Sequence, residues 1–438
     1  MFATLQHRSL RKNLFHFFNL EGKIAKLYVI ILCLFLITCS PRHSTDIVFW
    51  HALGGPPGDT LNKMVEDFNH QHPGIRVKAI SMGNYQALSQ KIMASIQANN
   101  QPDLAQVYES WTANLIKGNA LVQLDQFIDN DPVFKADISD IFPVFIKSNT
   151  FDGKLYSFPF NKSVRVMYYN KDIFYRNGLD YDKPPVTWQE FIDLCKLFTT
   201  DRKGTGRIDQ WGTSFTTDMW RFENLLLQAG GDILDPGENA PTFNSQAGIE
   251  ALEFFLKLLH EDKSAYLSPS FEAQNHFLAE NIAFVEGSST SFIWMQTAEV
   301  NFNMGIAPVP TYKTDRNIIS GTNIAIFDKK DTTRSKAAWE FVKWFSLPEQ
   351  TAKFSASTYY MPIRRSAIEQ PVLQKTLQEN PGLLGIYKQL ESADIEPQIP
   401  QWFEFRRYME ENVLEKVFLQ NLSPAEALLQ AETKWNSE

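Results

Sequence analysis

Cysteine is nearly absent from this chain: Cys33, Cys39 and Cys195 are the three among 438 residues. Cys33 lies in an N-terminal apolar stretch, so the body beyond Cys39 holds Cys195 alone, which excludes an internal disulfide there. Its stability must come from a large buried core, and a body of this size can supply one. Long hydrophobic runs are missing as well. Residues 27–37 are almost wholly apolar, but a bilayer span takes about 20 such residues, and no later stretch is long enough. Catalytic signatures are also missing. There is no H-E-x-x-H, Walker loop or G-x-G-x-x-G, and Gly287-Ser288-Ser289-Thr290-Ser291 lacks the last glycine of a nucleophile elbow. The eight histidines form no ligand cluster. Residues 201–212 hold Gly206 and Asp209 at calcium-loop positions, but Lys203 and Thr205 stand at ligand positions and Gly212 replaces the bidentate glutamate. A surface turn is expected there, with no metal site, no catalytic residue and no cofactor.

What is present begins with a leader. Arg8, Arg11, Lys12, Lys23 and Lys26 stand against the single acid Glu21, and the short apolar run follows. This is the pattern of a secretory signal over 1–38. Leu36-Ile37-Thr38-Cys39 closes it as a lipoprotein signal does, so Cys39 is expected to carry a lipid, with 39–46 as a tether. An ordinary cleavage nearby, with Cys39 incidental, is the alternative. The formal charge of the whole chain is −8. With five positive charges and one negative in the leader, the body is near −12. That excess argues against nucleic-acid binding and against an anionic-membrane surface on the body.

Beyond the tether, strand and helix patterns alternate. Residues 47–50, 75–80 and 103–108 read as strands. Leu61, Met64, Val65 and Phe68 mark one helix face, and Tyr85, Leu88, Ile92 and Ile96 another. The alternation predicts largely parallel sheets with crossover helices on their faces. Past a composition break at 149–153, strands are expected at 155–159, 164–169, 281–285, 304–308 and 324–327. Thr187 and Glu190 form a capping box, and a last helix covers 402–419. The second half returns to the first domain, which suggests lobes made of discontinuous segments. In such sheets ligands bind where loops leave the carboxyl ends of strands. The loops concerned are 50–59, 81–85 and 108–112.

Polar groups at predicted loop junctions are Gly83-Asn84-Tyr85, Tyr108-Glu109-Ser110-Trp111, Gly287-Ser288-Ser289 and Ser320-Gly321-Thr322. Hydroxyls and backbone N–H groups at such places bind oxyanions or serve as caps and turns. Glu109, just past a buried strand, suits two hydroxyls of a polyol or sugar, or caps the next helix.

Taken together, Phe49-Trp50-His51, Gly83-Asn84-Tyr85, Gln106-Val107-Tyr108-Glu109, Pro159-Phe160-Asn161, Tyr168-Tyr169-Asn170-Lys171-Asp172, Ser288-Ser289 and Tyr360-Met361-Pro362-Ile363 resemble a known family. It is that of the periplasmic solute-binding proteins of ATP-binding-cassette carbohydrate importers, over about residues 47–419. Within it, the nearest branch binds sn-glycerol-3-phosphate. The resemblance implies a two-lobed periplasmic-binding-protein-like α/β fold of type II, with mostly parallel sheets flanked by helices and a hinge between lobes. It implies lobe I from 47–153 and about 312–362, and lobe II from 154–311 and about 363–438. Carried over by motif, Tyr85 contacts the phosphate, Glu109 accepts from glycerol hydroxyls, and Ser163 adds a hydroxyl. Ser288 and Ser289 bind phosphate, Gly321 offers its N–H, Tyr360 its phenol, and Trp220 stacks on the glycerol carbons. An arginine of the last helix pairs with the phosphate. Counting back from Leu414 and Phe418 favours Arg407, and helix geometry leaves Arg406 open. Lys162 and Arg165 depart from the family pattern and, if they face the cleft, add charge to it. Trp111 and Trp402 are candidate stacking surfaces for a sugar ring.

The function so implied is capture of sn-glycerol-3-phosphate or a glycerophosphodiester for a membrane permease of the importer. The protein would be a monomer, periplasmic or at the cell surface, and lipid-anchored. The alternative solute is a neutral di- or oligosaccharide or a glucosylglycerol-type glycoside. A third reading is a lipid-anchored hydrolase or lyase that uses Glu109 with a second carboxylate.

Overall fold

The computed structural model describes residues 44–437 apart from 236, 238, 270, 271, 299 and 421. The expected signal and Cys39 lie outside the described residues. In chain order the strands are β1 (Thr45–His51), β2 (Ile75–Ser81), β3 (Leu104–Val107), β4 (Thr150–Phe151), β5 (Lys154–Leu155), β6 (Ser157–Ser163), β7 (Arg165–Asn170), β8 (Trp211–Phe215), β9 (Ala265–Leu267), β10 (Ile282–Ser288), β11 (Met304–Pro308), β12 (Asn317–Ile318), β13 (Ser320–Ile326) and β14 (Ala393–Asp394). Two five-stranded sheets form two lobes. One has the order β2-β1-β3-β13-β6 and the other β11-β7-β10-β8-β9.

Local chemistry accounts for the elements. Helix Gly55–Gln71 carries Pro56 and Pro57 in its first turn, where no N–H partner is needed, and buries Leu61, Met64, Val65 and Phe68. Asn84 caps helix Tyr85–Gln97 by accepting from the Ala87 N–H. The capping box of Thr187 and Glu190 starts helix Trp188–Phe198. On the first sheet, Phe49 and Phe160 pack edge to face at 5.6 Å, and Phe345 of helix Thr332–Phe345 meets Phe160 at 4.9 Å. Each such buried ring contributes about 1.5–3 kcal/mol of transfer free energy.

Each sheet is mostly parallel, as expected, with one strand running against the other four. β1 pairs in parallel with β2 and β3, but β13 runs antiparallel to β3 and β6. In the other sheet β8 pairs in parallel with β9 and β10, and β7 runs antiparallel to β10 and β11. The antiparallel strands are those that cross between lobes. They enter from the hinge side, so no right-handed crossover helix dictates their direction.

The changeover between sheets falls at Val164, between β6 and β7, rather than at the composition break at 153. That break is the turn of the small β4–β5 hairpin. The chain returns between β11 and β13, and there β12 pairs in parallel with β14. A third passage follows helix Pro371–Glu379, later than 363. There Gly382 packs so closely on β11 that an added Cβ would lie 1.8 Å from the Ile306 carbonyl oxygen.

Candidate functional site

The wall contributed by lobe I is centred on Asn161. Its Oδ1 accepts from Gln106 Nε2 at 2.9 Å and from the Thr322 hydroxyl, and its Nδ2 donates to Tyr85 Oη at 3.1 Å. The adjacent Lys162 has no exposed surface. Its ammonium donates to Glu109 Oε1 at 2.5 Å and to the Gly321 carbonyl at 3.2 Å. Asn323 Nδ2 also donates to Glu109 Oε1, at 3.2 Å. Glu109, at the start of helix Glu109–Lys117, is therefore half of a buried ion pair rather than a free carboxylate. Both bonds fall on Oε1, which leaves Oε2 to accept from a solute hydroxyl. Gly321 is required where it stands. Its φ is +102°, and an added Cβ would lie 2.2 Å from the Asn161 carbonyl oxygen. It serves Lys162 through its carbonyl, while its N–H was the group expected to act.

Tyr85, Tyr108 and Tyr360 gather beside this pair. The Tyr85 and Tyr108 rings lie 5.1 Å apart. Burial pushes all three phenols above their ordinary range, so they stay protonated donors at physiological pH. Trp111 packs edge-on to Tyr108 at 5.1 Å and to Phe403 of lobe II at 6.1 Å, so aromatic rings bridge the lobes here.

The wall contributed by lobe II is a charged cluster. Asp218 caps helix Met219–Gln228, accepting from the Trp220 N–H at 2.9 Å and from Arg165 Nη1. Arg165 also lies 5.4 Å from the Trp220 ring, whose Nε1 donates to the Ile318 carbonyl at 3.0 Å. Arg221 Nη2 donates to Glu286 Oε1 at 2.8 Å. Glu410 accepts from the Met219 N–H at 3.0 Å. Arg406 Nη1 donates to both oxygens of Glu396, at 2.9 and 3.0 Å. Glu223 is fully buried, and neither of its carboxylate oxygens has a partner.

The electrostatics follow from crowding. Burial pushes the Glu223 carboxyl well above its usual range and outweighs the pull of Arg406. Burial likewise raises Glu396 and Glu410. For Asp218 burial acts upward, but Arg165 and Arg406 prevail and hold it low. Burial alone would lower the Arg406 guanidinium; Glu396, Glu223, Asp218 and Glu410 together raise it. Glu396 also interacts with Glu109 and Lys162 of the facing wall, so the two clusters share one field. A groove of about 590 Å³ opens between the lobes beside them, lined by Ala113 and Ile116 on one side, Leu227 and Ile233 on the other, and Glu396.

Arg407 is not part of this arrangement. Its side chain is 66% exposed and pairs with Glu404 one turn away on the surface. Arg406 is the inward residue. The helix expected to be the last is followed by another, Pro424–Trp435, and is itself broken by a π-turn at Glu410–Leu414, between Trp402–Met409 and Glu415–Gln420. That turn holds an extra residue, so counting back from Leu414 and Phe418 through a regular helix lands one position late. Trp402 is buried in the core against Phe405 and Trp435 and offers no face to a sugar.

The serines are occupied locally. The Ser289 hydroxyl donates to the Tyr359 carbonyl at 2.8 Å and Ser289 is buried; the Ser288 hydroxyl meets that of Thr290 at 2.9 Å. Ser288 faces Arg165 across the β7–β10 pair, and Ser163 faces Ser320 across β6–β13. Lys162 and Arg165, departures from the family pattern, both point into the charged region. Asp218, Arg221, Glu223, Glu286, Glu396 and Glu410 were not anticipated. Asp218, Arg221 and Glu223 share one helix start, and the other three come from separate segments, with no motif spacing to join them.

Comparison with known proteins agrees with this architecture. The profile of a family described as "Bacterial extracellular solute-binding protein" matches residues 63–383. The sn-glycerol-3-phosphate-binding periplasmic protein UgpB of Pectobacterium atrosepticum is 27% identical over 360 residues, 79% of this chain and 80% of that one. UgpB from Mycobacterium tuberculosis, solved in complex with glycerophosphocholine, superposes with a TM-score of 0.76 at 22% identity, over 90% of this chain and 98% of that one. The cyclic alpha-maltosyl-1,6-maltose binding protein from Arthrobacter globiformis gives 0.77 at 23%, with the same coverage. The fold is the type II, two-lobed fold of periplasmic sugar-binding proteins. No helix among the described residues is long and apolar enough to cross a membrane.

Proposed function

Because the chain belongs to the bacterial extracellular solute-binding proteins, a family of binding proteins rather than enzymes, we propose that its cleft captures sn-glycerol-3-phosphate or a glycerophosphodiester. The solute would pass to a membrane permease powered by partner ATPases. The observation that carries this reading is the pair of cations on opposite walls, Lys162 from lobe I and Arg406 from lobe II, linked through the field of Glu396. Tyr85, Tyr360 and Glu109 surround the lobe I cation with hydroxyl-matching groups, and relatives of this length and similarity carry the glycerophosphate-binding name. Ser163, Ser288, Gly321 and Trp220 complete the proposed lining, Ser289 lies behind it with its hydroxyl given to the Tyr359 carbonyl, and Arg406 takes the place first assigned to Arg407. Lobe I is proposed as about 45–163 with 320–380, and lobe II as about 165–308 with 382–437. Closure about the hinge would bury the solute and present a joint surface to the permease. Lipid attachment at Cys39 and a monomeric state belong to the same proposal.

A second reading has its own support. Lys162 and Arg406 are already paired with carboxylates. A neutral glycoside could bind through Glu109 Oε2, Tyr85 and the aromatic rings without disturbing either pair. Calorimetric titration at pH 7.5 with sn-glycerol-3-phosphate, a glycerophosphodiester and a neutral disaccharide separates the two. Heat from a phosphate ester, weakened in Arg406→Ala, supports the first; heat from the disaccharide alone supports the second.

A further inference from the structure

Arg406 is held by a carboxylate of its own chain. Glu396 engages Nη1 with both oxygens, while Arg406 Nε is buried without a partner. The guanidinium thus keeps one edge for a solute and has a fixed negative charge on the other. Glu396 is held there by anchors on either side of it in the chain. Just before it, Asp394 accepts from Arg316 Nε at 2.7 Å, and β14 pairs with β12 at the hinge. Just after it, Gln398 Nε2 donates to the Ser148 carbonyl of lobe I at 3.0 Å. The side chain of Glu396 is 11% exposed and lines the interlobe groove. Asp218, Glu223 and Glu410 also act on Arg406, and the other two arginines of the cluster, Arg165 and Arg221, are already paired with Asp218 and Glu286.

An anion that docks on the free edge of Arg406 therefore meets Glu396 across the same guanidinium. A singly charged phosphodiester meets this repulsion once. A phosphomonoester is mostly doubly charged at neutral pH, because its second ionisation lies near pH ~6. Its second charge finds no unpaired cation in the cluster. We propose that Glu396 sets the charge selectivity of the cleft, admitting solutes with at most one negative charge beside Arg406 and disfavouring dianions. The proposal rests on the phosphate-ester reading above.

The test compares sn-glycerol-3-phosphate with glycerophosphoglycerol, a diester that adds no cation, by calorimetry on the full exported chain. Wild type should bind the diester at least tenfold more tightly. Glu396→Gln should shrink that ratio at least tenfold by improving monoester binding, and Glu396→Asp, which keeps the charge, should retain the preference. A wild-type ratio near one, or the same ratio in Glu396→Gln, overturns the proposal. If neither ester binds wild type but the monoester binds Glu396→Gln, the phosphate-ester function fails and the selectivity role stands. If neither ester binds either protein, both fall. Should Glu396→Gln not fold, the wild-type ratio at pH 5 against pH 7.5 decides. The titratable and charged groups facing Glu396 are Arg406 and Glu223 from its own lobe, and Glu109, Lys162 and Tyr108 from the other. Acid turns the monoester into a monoanion and moves Glu396 toward neutrality, so the ratio must fall severalfold. An unchanged ratio overturns the proposal.

Discussion

On the wall from lobe I, one lysine meets one carboxylate, and nearby polar atoms form a connected network through Asn161. On the wall from lobe II, Arg165, Arg221 and Arg406 meet Asp218, Glu223, Glu286, Glu396 and Glu410. Several polar atoms there, both Glu223 oxygens, Arg165 Nε, Arg221 Nε and Arg406 Nε, are buried without a hydrogen-bond partner. Leaving such groups unmet costs about 1–3 kcal/mol each. The first wall is complete in itself and positions a solute. The second is incomplete in itself, and a solute that satisfies it recovers part of that cost. The lobes thus divide the labour between a rigid template and an unsatisfied acceptor.

That contrast can be broken from either side. The largest effect should come from the template. Lys162→Met leaves Glu109 buried and unpaired and should lower unfolding free energy by about 3–5 kcal/mol in urea titrations. Adding Glu109→Gln should restore part of the loss; no recovery would mean that the pair is not coupled. Next, Gly321→Ala should cost about 2–3 kcal/mol, because its left-handed backbone and the close Asn161 carbonyl leave no room for a Cβ. A melting temperature equal to wild type would show that the β6–β13 approach is looser than described.

On the acceptor wall the expected effect is a pH slope. Burial raises the native Glu223 carboxyl well above the 4.5 of its unfolded form, so the folded state keeps a proton that the unfolded state releases. Stability from this group is fully present below about pH 4.5 and is lost as pH rises toward the native value. Glu223→Gln should flatten that decline, as read from unfolding free energy at several pH values. His51 acts in the opposite direction. Burial lowers it from 6.5 to about 4, so stability falls as pH drops through that window. The smallest effect should be Trp220→Phe, which removes one hydrogen bond to the Ile318 carbonyl and should cost about 1 kcal/mol.

Much of the template was legible in the sequence. Tyr85, Glu109 and Tyr360 lie in the motifs that carry the family resemblance, Gly321 lies at a predicted loop junction, and Lys162 stood out as a departure from the family pattern. The acceptor wall was not legible in the same way. Its acids are spread over Asp218 to Glu410, and no spacing rule joins elements that only the packing of lobe II brings together. The count favoured Arg407 and left Arg406 open, because a π-turn is invisible to a count based on 3.6 residues per turn. The mostly parallel sheets were legible in the helix–strand alternation, but the one reversed strand in each, β13 and β7, was not, because strands that cross between lobes follow the hinge. Glu109 was recognised as important, but its partner Lys162, two strands across the sheet on β6, changed what it is free to do.

The most direct test is calorimetric titration of wild type, Arg406→Ala and Arg407→Ala with a glycerophosphodiester at pH 7.5. The account predicts saturable binding to wild type, unchanged binding to Arg407→Ala, and a loss of at least tenfold in Arg406→Ala, the scale of a charge-assisted bond of about 1.5 kcal/mol or more. Equal affinity in wild type and Arg406→Ala, or a loss confined to Arg407→Ala, would contradict it.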